Sequence, residues 1–301
     1  MAAKVAILGL DCAEPRLVFG RCREQLPTLS ALGASGLRGR LRSCDPPITC
    51  PAWMVMVSGR TPGELGIYGF RNRTDHSYTG LGLATSQWVK TDTVWDVLGR
   101  AGKKVITMAV PLTYPPKPLN GCQVSCWLTP GPESAYAYPP QLKEELIQAC
   151  GPYIPDVKFR VTDKEALYQE IRKATENHMA YARHLLTAKP WDFFMSVEMG
   201  TDRIHHGLWR EFDEAHPRHP KGNPHQGKML DYYREIDRHL AGLIEVLPED
   251  AWIIVNSDHG IQAMAGGILF NEWLIREGYL ALKQRPAEKT PLNKAEVDWS
   301  K

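Results

Sequence analysis

No run of apolar residues in this chain approaches the ~18 needed for a membrane-spanning helix. A membrane protein is therefore not expected. An excess of charge of one sign is also lacking: 36 Lys and Arg stand against 34 Asp and Glu, a formal net charge of +2. With no block of like charges, neither a nucleic-acid polymer nor a membrane surface is expected as partner. The apolar stretch at 5–10 is too short for a signal-peptide core, and no small-residue cleavage site follows it, so the expected location is cytoplasmic. The cysteines, at 12, 22, 44, 50, 122, 126 and 150, are odd in number and match neither a disulfide framework nor a zinc spacing. They read as reduced thiols. The last absence is local: no histidine follows His259.

What is present suits a soluble α/β protein. Of 301 residues, 43% are hydrophobic and 23% charged, enough apolar content for a sizeable core. The stretch 4–10 is a continuous apolar run, as expected of a strand buried on both faces of a parallel sheet. Further strands are expected at 37–43, 104–110, 193–199 and 252–257. Helices are expected up to about Gly33, then at 50–58, 92–102 (capped by Thr91 and Asp92, ended by Gly102), 139–150, 163–188, 226–246 and 270–277. The alternation predicts a mostly parallel central sheet flanked by helices. One domain over 1–301 is expected, with 112–188 as a cap or insert region. Long loops at 60–90, 112–138 and 211–226 are expected to cap a site. The oligomeric state is not readable.

Three apolar runs stop at or just before residues that bind metals. The run 5–10 ends at Asp11, 193–199 ends shortly before Asp202, and 252–257 ends at Asp258-His259. Ligands of open α/β sheets lie beyond the carboxyl ends of the strands, so these residues should converge. Asp258 and His259 offer an oxygen and a nitrogen, a mixture zinc accepts. Asp202 and His206 lie four apart and share one face of a helix that begins near Asp202, whereas His205 points away. Thr49, at the start of the helix after Pro46-Pro47, reads on its own as an N-cap. Beside a metal it becomes a nucleophile, with the helix N-terminus holding an anionic phosphoryl group. In isolation each of these features has an ordinary structural explanation.

Five stretches, in order along the chain, carry a resemblance: Leu8-Gly9-Leu10-Asp11, Pro46-Pro47-Ile48-Thr49-Cys50-Pro51-Ala52-Trp53, Ser58-Gly59-Arg60-Thr61-Pro62-Gly63, Met199-Gly200-Thr201-Asp202-Arg203-Ile204-His205-His206 and Ser257-Asp258-His259-Gly260. The chain resembles the type I phosphodiesterase and nucleotide pyrophosphatase family of the alkaline phosphatase superfamily. The resemblance implies an alkaline phosphatase-like fold and a hydrolase of small phosphorylated substrates. It implies two divalent metal ions, zinc first, with manganese or iron also compatible with the ligands. One ion would be held by Asp11, Thr49, Asp258 and His259, the other by Asp202, His206 and a further His. Thr49 would attack phosphorus in line and form a phosphoenzyme. Arg71 and Asn72, in the loop after the nucleophile helix, are the candidate substrate contacts.

The chain departs from the family pattern in three places. The further His should lie downstream of Asp258-His259, where there is none, and the chain ends in the polar stretch Trp299-Ser300-Lys301. The expectation is that the C-terminal part of the sheet is missing. Failing that, His216, His219 or His225 would have to complete the second site. Leu65 stands where the family often has His. A sulfatase is disfavoured because Cys50 is followed directly by Pro51, with Met54 where that motif needs Arg. A phosphomutase or phosphonate hydrolase of the same superfamily, and a catalytically impaired binding protein on the same scaffold, remain as alternatives.

Overall fold

Residues 4–77, 80–264 and 266–301 are described by the computed structural model. The strands are β1 Val5–Leu10, β2 Arg71–Arg73, β3 Leu81–Leu83, β4 Val105–Met108, β5 Gly121–Val124, β6 Ala137–Tyr138, β7 Phe193–Glu198 and β8 Trp252–Asn256. The α-helices are α1 Pro27–Ser35, α2 Thr49–Ser58, α3 Pro62–Leu65, α4 Val94–Arg100, α5 Leu142–Cys150, α6 Lys164–Ala188, α7 Gly200–Phe212, α8 Lys228–Ile244 and α9 Phe270–Arg276.

Six strands form the central sheet in the order β6-β5-β4-β7-β1-β8. All neighbours are parallel except β5 and β6. Strands β1, β4 and β7 are largely apolar on both faces because both faces are covered. One buried cluster joins β1 and β7 to α6, α7 and α8, with Phe194, Ile204, Tyr232 and Ile236 among its members. The other packs Trp53, Met54 and Val57 of α2 against Val105, Met195 and Val197. The expected fold class is therefore correct: α/β, with a mostly parallel central sheet and helices on both faces.

Several local expectations change. Residues 37–43 form no strand. Leu37 and Leu41 are exposed there and alternate with Arg38, Arg40 and Arg42, so the segment has no apolar face to bury against a sheet. The 112–138 stretch is more than a loop: β5 and β6 extend the central sheet, so the 112–188 region is woven into it. Helix α4 is capped by Thr93 and Asp96 in a reciprocal capping box rather than by Thr91 and Asp92. Asp92 instead pairs with Arg100. The loop 60–90 contains α3 and the β2–β3 hairpin. All seven cysteines are free.

Contacts divide the chain into two compact units, Met1–Gln262 and Ala263–Lys301. The first holds the sheet and every candidate site residue. The second holds α9 and an antiparallel bridge between Leu282 and Val297. Among the described residues no helix is long and apolar enough to cross a membrane.

Candidate metal and phosphoryl site

Parallel pairing brings the chemistry to one edge. Leu10 is opposite Glu198, and Gly9 is opposite Asn256. The segments that follow β1, β7 and β8 therefore leave the sheet side by side. The backbone N–H of Asp11 donates to the Glu198 carbonyl at 3.0 Å, extending the ladder to the first acidic residue.

Asp11, Asp258 and His259 converge so closely that one ligand atom from each lies within 4.8 Å of the other two. His259 Nε2 is 3.3 Å from Asp258 Oδ2 and 3.8 Å from Asp11 Oδ1. Two ligands on one tetrahedral zinc, each about 2.0–2.1 Å from it, lie roughly 3.3 Å apart. Thr49 Oγ1 sits 3.1 Å from His259 Nε2. His259 Nδ1 is 3.0 Å from the Gly260 carbonyl, which can only accept. Nδ1 therefore carries the proton, and the lone pair lies on Nε2, where a cation or the Thr49 hydroxyl can use it.

Asp11 Oδ1 and Asp258 Oδ2 are buried with no hydrogen-bond partner. Buried carboxylate oxygens without partners are costly, and a divalent cation is the group that would satisfy them. The donor set fits one. Burial, then the charges of Asp258 and Asp202, push Asp11 well above the carboxylate range, against smaller opposing effects of His259 and Trp53. Burial is also the main cause pushing Asp258 up to about 7.

Close packing fixes each of these groups. Trp53 Nε1 donates to Asp11 Oδ2 at 2.7 Å. Its indole crosses β1 at Gly9, where a Cβ would lie 2.5 Å from the ring. Only glycine admits that approach. Cys12 has φ +61°, unusual for a residue with a Cβ. In this conformation its N–H donates to Asp258 Oδ1 at 3.0 Å. Ala13 N–H donates to Ser257 Oγ at 2.8 Å, and Ile261 N–H donates to Glu14 Oε2 at 3.1 Å. Arg16 bonds both Glu14 and the Ile261 carbonyl. The loops after β1 and β8 are thus laced together.

Thr49 is the first residue of α2, with Ile48 as N-cap, and its hydroxyl makes no capping bond. The capping explanation for this residue is set aside. Its place at N1 leaves its own N–H and that of Cys50 without intrahelical acceptors.

Asp202 and His206 share one face of α7, with Oδ1 and Nε2 3.4 Å apart, again close to the separation of two ligands on one ion. Asp202 Oδ2 accepts from Arg203 NH1 at 2.6 Å. Burial pushes Asp202 up, but the hydrogen bond with His206 and the charges of Arg203 and His206 carry it below the ordinary range. The start of α7 is held by Glu198, whose Oε1 accepts from Gly200 N–H at 2.8 Å and Thr175 Oγ1 at 3.0 Å. Glu198 Oε2 lies 3.2 Å from buried His178. Burial disfavours charge on both partners, yet their mutual attraction lowers Glu198 and raises His178. A Cβ at Gly200 would lie 2.0 Å from Tyr232 Oη, so only glycine fits under this network.

No third donor joins Asp202 and His206 among the described residues. His216 Nδ1 accepts from Arg218 N–H, His219 Nδ1 lies 3.0 Å from the Arg210 carbonyl in the last turn of α7, and His225 faces Glu165 at 4.0 Å. The loop histidines are not brought to the second pair. His205 points into the core, 3.1 Å from Tyr233 Oη, and burial lowers its pKa to about 4. Asn72 is buried and turned to its own loop: Oδ1 accepts from Tyr68 N–H and Nδ2 donates to the Gly69 carbonyl. Arg71 is exposed on β2. Sequence reasoning missed Trp53, Glu14, Arg16, Glu198 and His178 as supports. Trp53 and Glu198 lay inside or beside the quoted motifs, whereas His178 carried no local signal.

A family model for type I phosphodiesterase / nucleotide pyrophosphatase matches residues 5–300. No curated protein matches. Among solved structures, phosphonoacetate hydrolase from Sinorhizobium meliloti 1021 in complex with phosphonoacetate is similar, with TM-score 0.60 and 17% identity over 95% of this chain. Murine ectonucleotide pyrophosphatase / phosphodiesterase 5, an inactive form in complex with AMP, gives TM-score 0.53 and 14% identity over 94%. This chain spans 66% and 64% of their respective lengths. The fold agrees with both, and the family match runs through every strand of the sheet: the chain belongs to the type I phosphodiesterase / nucleotide pyrophosphatase family.

Proposed function

We propose that this chain is a metal-dependent phosphoester hydrolase of phosphodiesterase type, acting on a small phosphorylated substrate with Thr49 as nucleophile. The observation that carries the reading is Thr49 Oγ1 at the head of α2, 3.1 Å from the lone pair of His259 Nε2, beside two buried carboxylate oxygens without partners. Asp11, Thr49, Asp258 and His259 would hold one divalent cation, and Asp202 with His206 a second. Zinc suits both sets, and manganese or iron is compatible. When bound, such cations act as Lewis acids that neutralise charge on a phosphoryl group.

The remaining roles belong to the protein. The first-turn N–H groups of α2 and the positive end of the helix favour a phosphoryl oxygen in front of Thr49. Thr49 Oγ1 gives up its proton and forms a bond to phosphorus as the bond to the leaving oxygen breaks, and that proton ends on the leaving oxygen. Water then cleaves the phosphothreonine, releasing the phosphoryl product and restoring the hydroxyl. The rigid support of Asp11 by Trp53 and of the 257–261 loop by Ala13 and Glu14 keeps the reacting groups in place.

Turnover of bis-p-nitrophenyl phosphate beside p-nitrophenyl phosphate, with added zinc or manganese, tests this. Thr49→Ala should lower the metal-dependent rate roughly 10³-fold or more. The ratio of the two substrates chooses diesterase or monoesterase. Full activity in Thr49→Ala would remove Thr49 from the role. The Arg203 bond on Asp202 and the two-donor second pair favour a second reading, a scaffold that binds phosphorylated ligands without turnover. Metal uptake with no release from either substrate in the wild type would select it.

A further inference from the structure

Arg203 lies between the two acidic partners that decide how Asp202 is presented. Its Nε and NH2 make a two-pronged bond to Asp156, at 2.6 Å to Oδ1 and 2.8 Å to Oδ2. Its NH1 donates to Asp202 Oδ2 at 2.6 Å. The guanidinium is buried, with Cζ 4.7 Å from the ring centroid of Phe159 and 5.5 Å from that of Trp127. Phe159 also faces the His206 ring, with centroids 5.1 Å apart. Asp156 and Phe159 belong to the irregular segment between α5 and α6. That segment is anchored by Asn177 Oδ1 on Ile154 N–H and by His178 Nε2 on the Ile154 carbonyl.

A purely structural arginine would be satisfied by Asp156 and the two rings. The third bond, to the outer oxygen of a candidate ligand, is a further feature. It leaves only Oδ1 of Asp202 turned to His206 Nε2, at 3.4 Å. A planar, permanently charged fork holds a carboxylate in one orientation better than an ammonium can. Asp156 shares the positive charge of Arg203, which would otherwise bear wholly on Asp202 and oppose a cation there.

We propose that Arg203, held by Asp156, is a positioning residue that presents Asp202 as a one-oxygen ligand and sets the affinity of the Asp202–His206 pair for a divalent cation. This rests on the two-cation reading above. The 151–162 segment then serves the second half of the site from behind.

Cobalt(II) titration of the full chain, followed by equilibrium dialysis and visible absorption, separates two equivalents. Asp156→Asn should weaken the second equivalent about 10- to 100-fold and alter its absorption bands, with the first changed far less. Asp156→Glu should recover part of the loss. Arg203→Lys should show the same selective loss, and it replaces Asp156→Asn if that variant does not fold. Unchanged second-equivalent affinity in both variants overturns the proposal. So does equal weakening of both equivalents in step with a lowered unfolding midpoint. If wild type takes up fewer than two equivalents, the two-cation reading fails and the positioning role falls with it.

Discussion

The two halves of the site differ in how their carboxylates are satisfied. Around Thr49, Asp11 and Asp258 each have one oxygen bonded to the protein and one buried without a partner. Around His206, Asp202 has Arg203 on one oxygen and His206 near the other, and the His206 side chain is 48% exposed. The first half carries an unmet desolvation cost that a cation would relieve. The second is already balanced, so a cation must compete with protein charges. The first half should therefore bind a cation more tightly.

The largest expected effect breaks the comparison at its base. Asp258→Asn should weaken the tighter metal equivalent by more than roughly 100-fold, because even changes behind a ligand cost 10- to 100-fold. Asp202→Asn should leave that equivalent nearly intact and weaken the other. Metal content after dialysis reads both, and an equal loss in the two variants would show that the halves do not act separately.

Next is the stored repulsion. In metal-free protein, Asp11→Asn should raise stability by about 1–3 kcal/mol by removing a carboxyl whose ionisation burial and Asp258 oppose, while keeping an acceptor for Trp53. Denaturant unfolding with chelator measures it, and a destabilised variant would mean that Asp11 is already compensated.

The pH dependence sharpens the same point. An unfolded Asp titrates near about 3.9, whereas folded Asp258 is pushed up to about 7. Between these values the native chain holds the extra proton. That contribution is fully present below the lower value and is lost as pH rises through the upper one. The metal-free unfolding midpoint should fall from about pH 4 to about pH 7 and level off above that, and saturating metal should reverse the fall by replacing the proton. A flat metal-free profile that also matches Asp258→Asn would contradict it.

The smallest effect belongs to the exposed side of the second half. His206→Ala should change metal-free stability by no more than about 0.5 kcal/mol while weakening the second equivalent. A large loss of stability would mean that His206 is a structural partner of Phe159.

Much of this was legible in the sequence because it rests on local signals. The runs ending at Asp11 and Asp258 are apolar on both faces, and parallel pairing needs no more than that to bring their ends together. Asp202 and His206 share a face through helical spacing alone. The errors arose where local pattern carried no burial. The 37–43 stretch alternates but has nothing to pack on, and β5 and β6 are too short and polar to stand out from the turns around them. Asn72 looked free for a ligand because its partners, Tyr68 N–H and the Gly69 carbonyl, appear only once the loop has closed.

By itself the sequence determined the inner strands β1, β4 and β7, the strand β8 and the long helices between them, the chemical type of each strand-end residue and the position of Thr49 at the start of a helix, since these depend on periodicity and on residues within a turn of one another. The tertiary structure alone decided which oxygens are left without partners, that Glu198 and His178 hold the start of α7, and that Asp156 reaches Arg203 across 47 positions. Those outcomes depend on burial and on long-range distances, which exist only after the chain has packed.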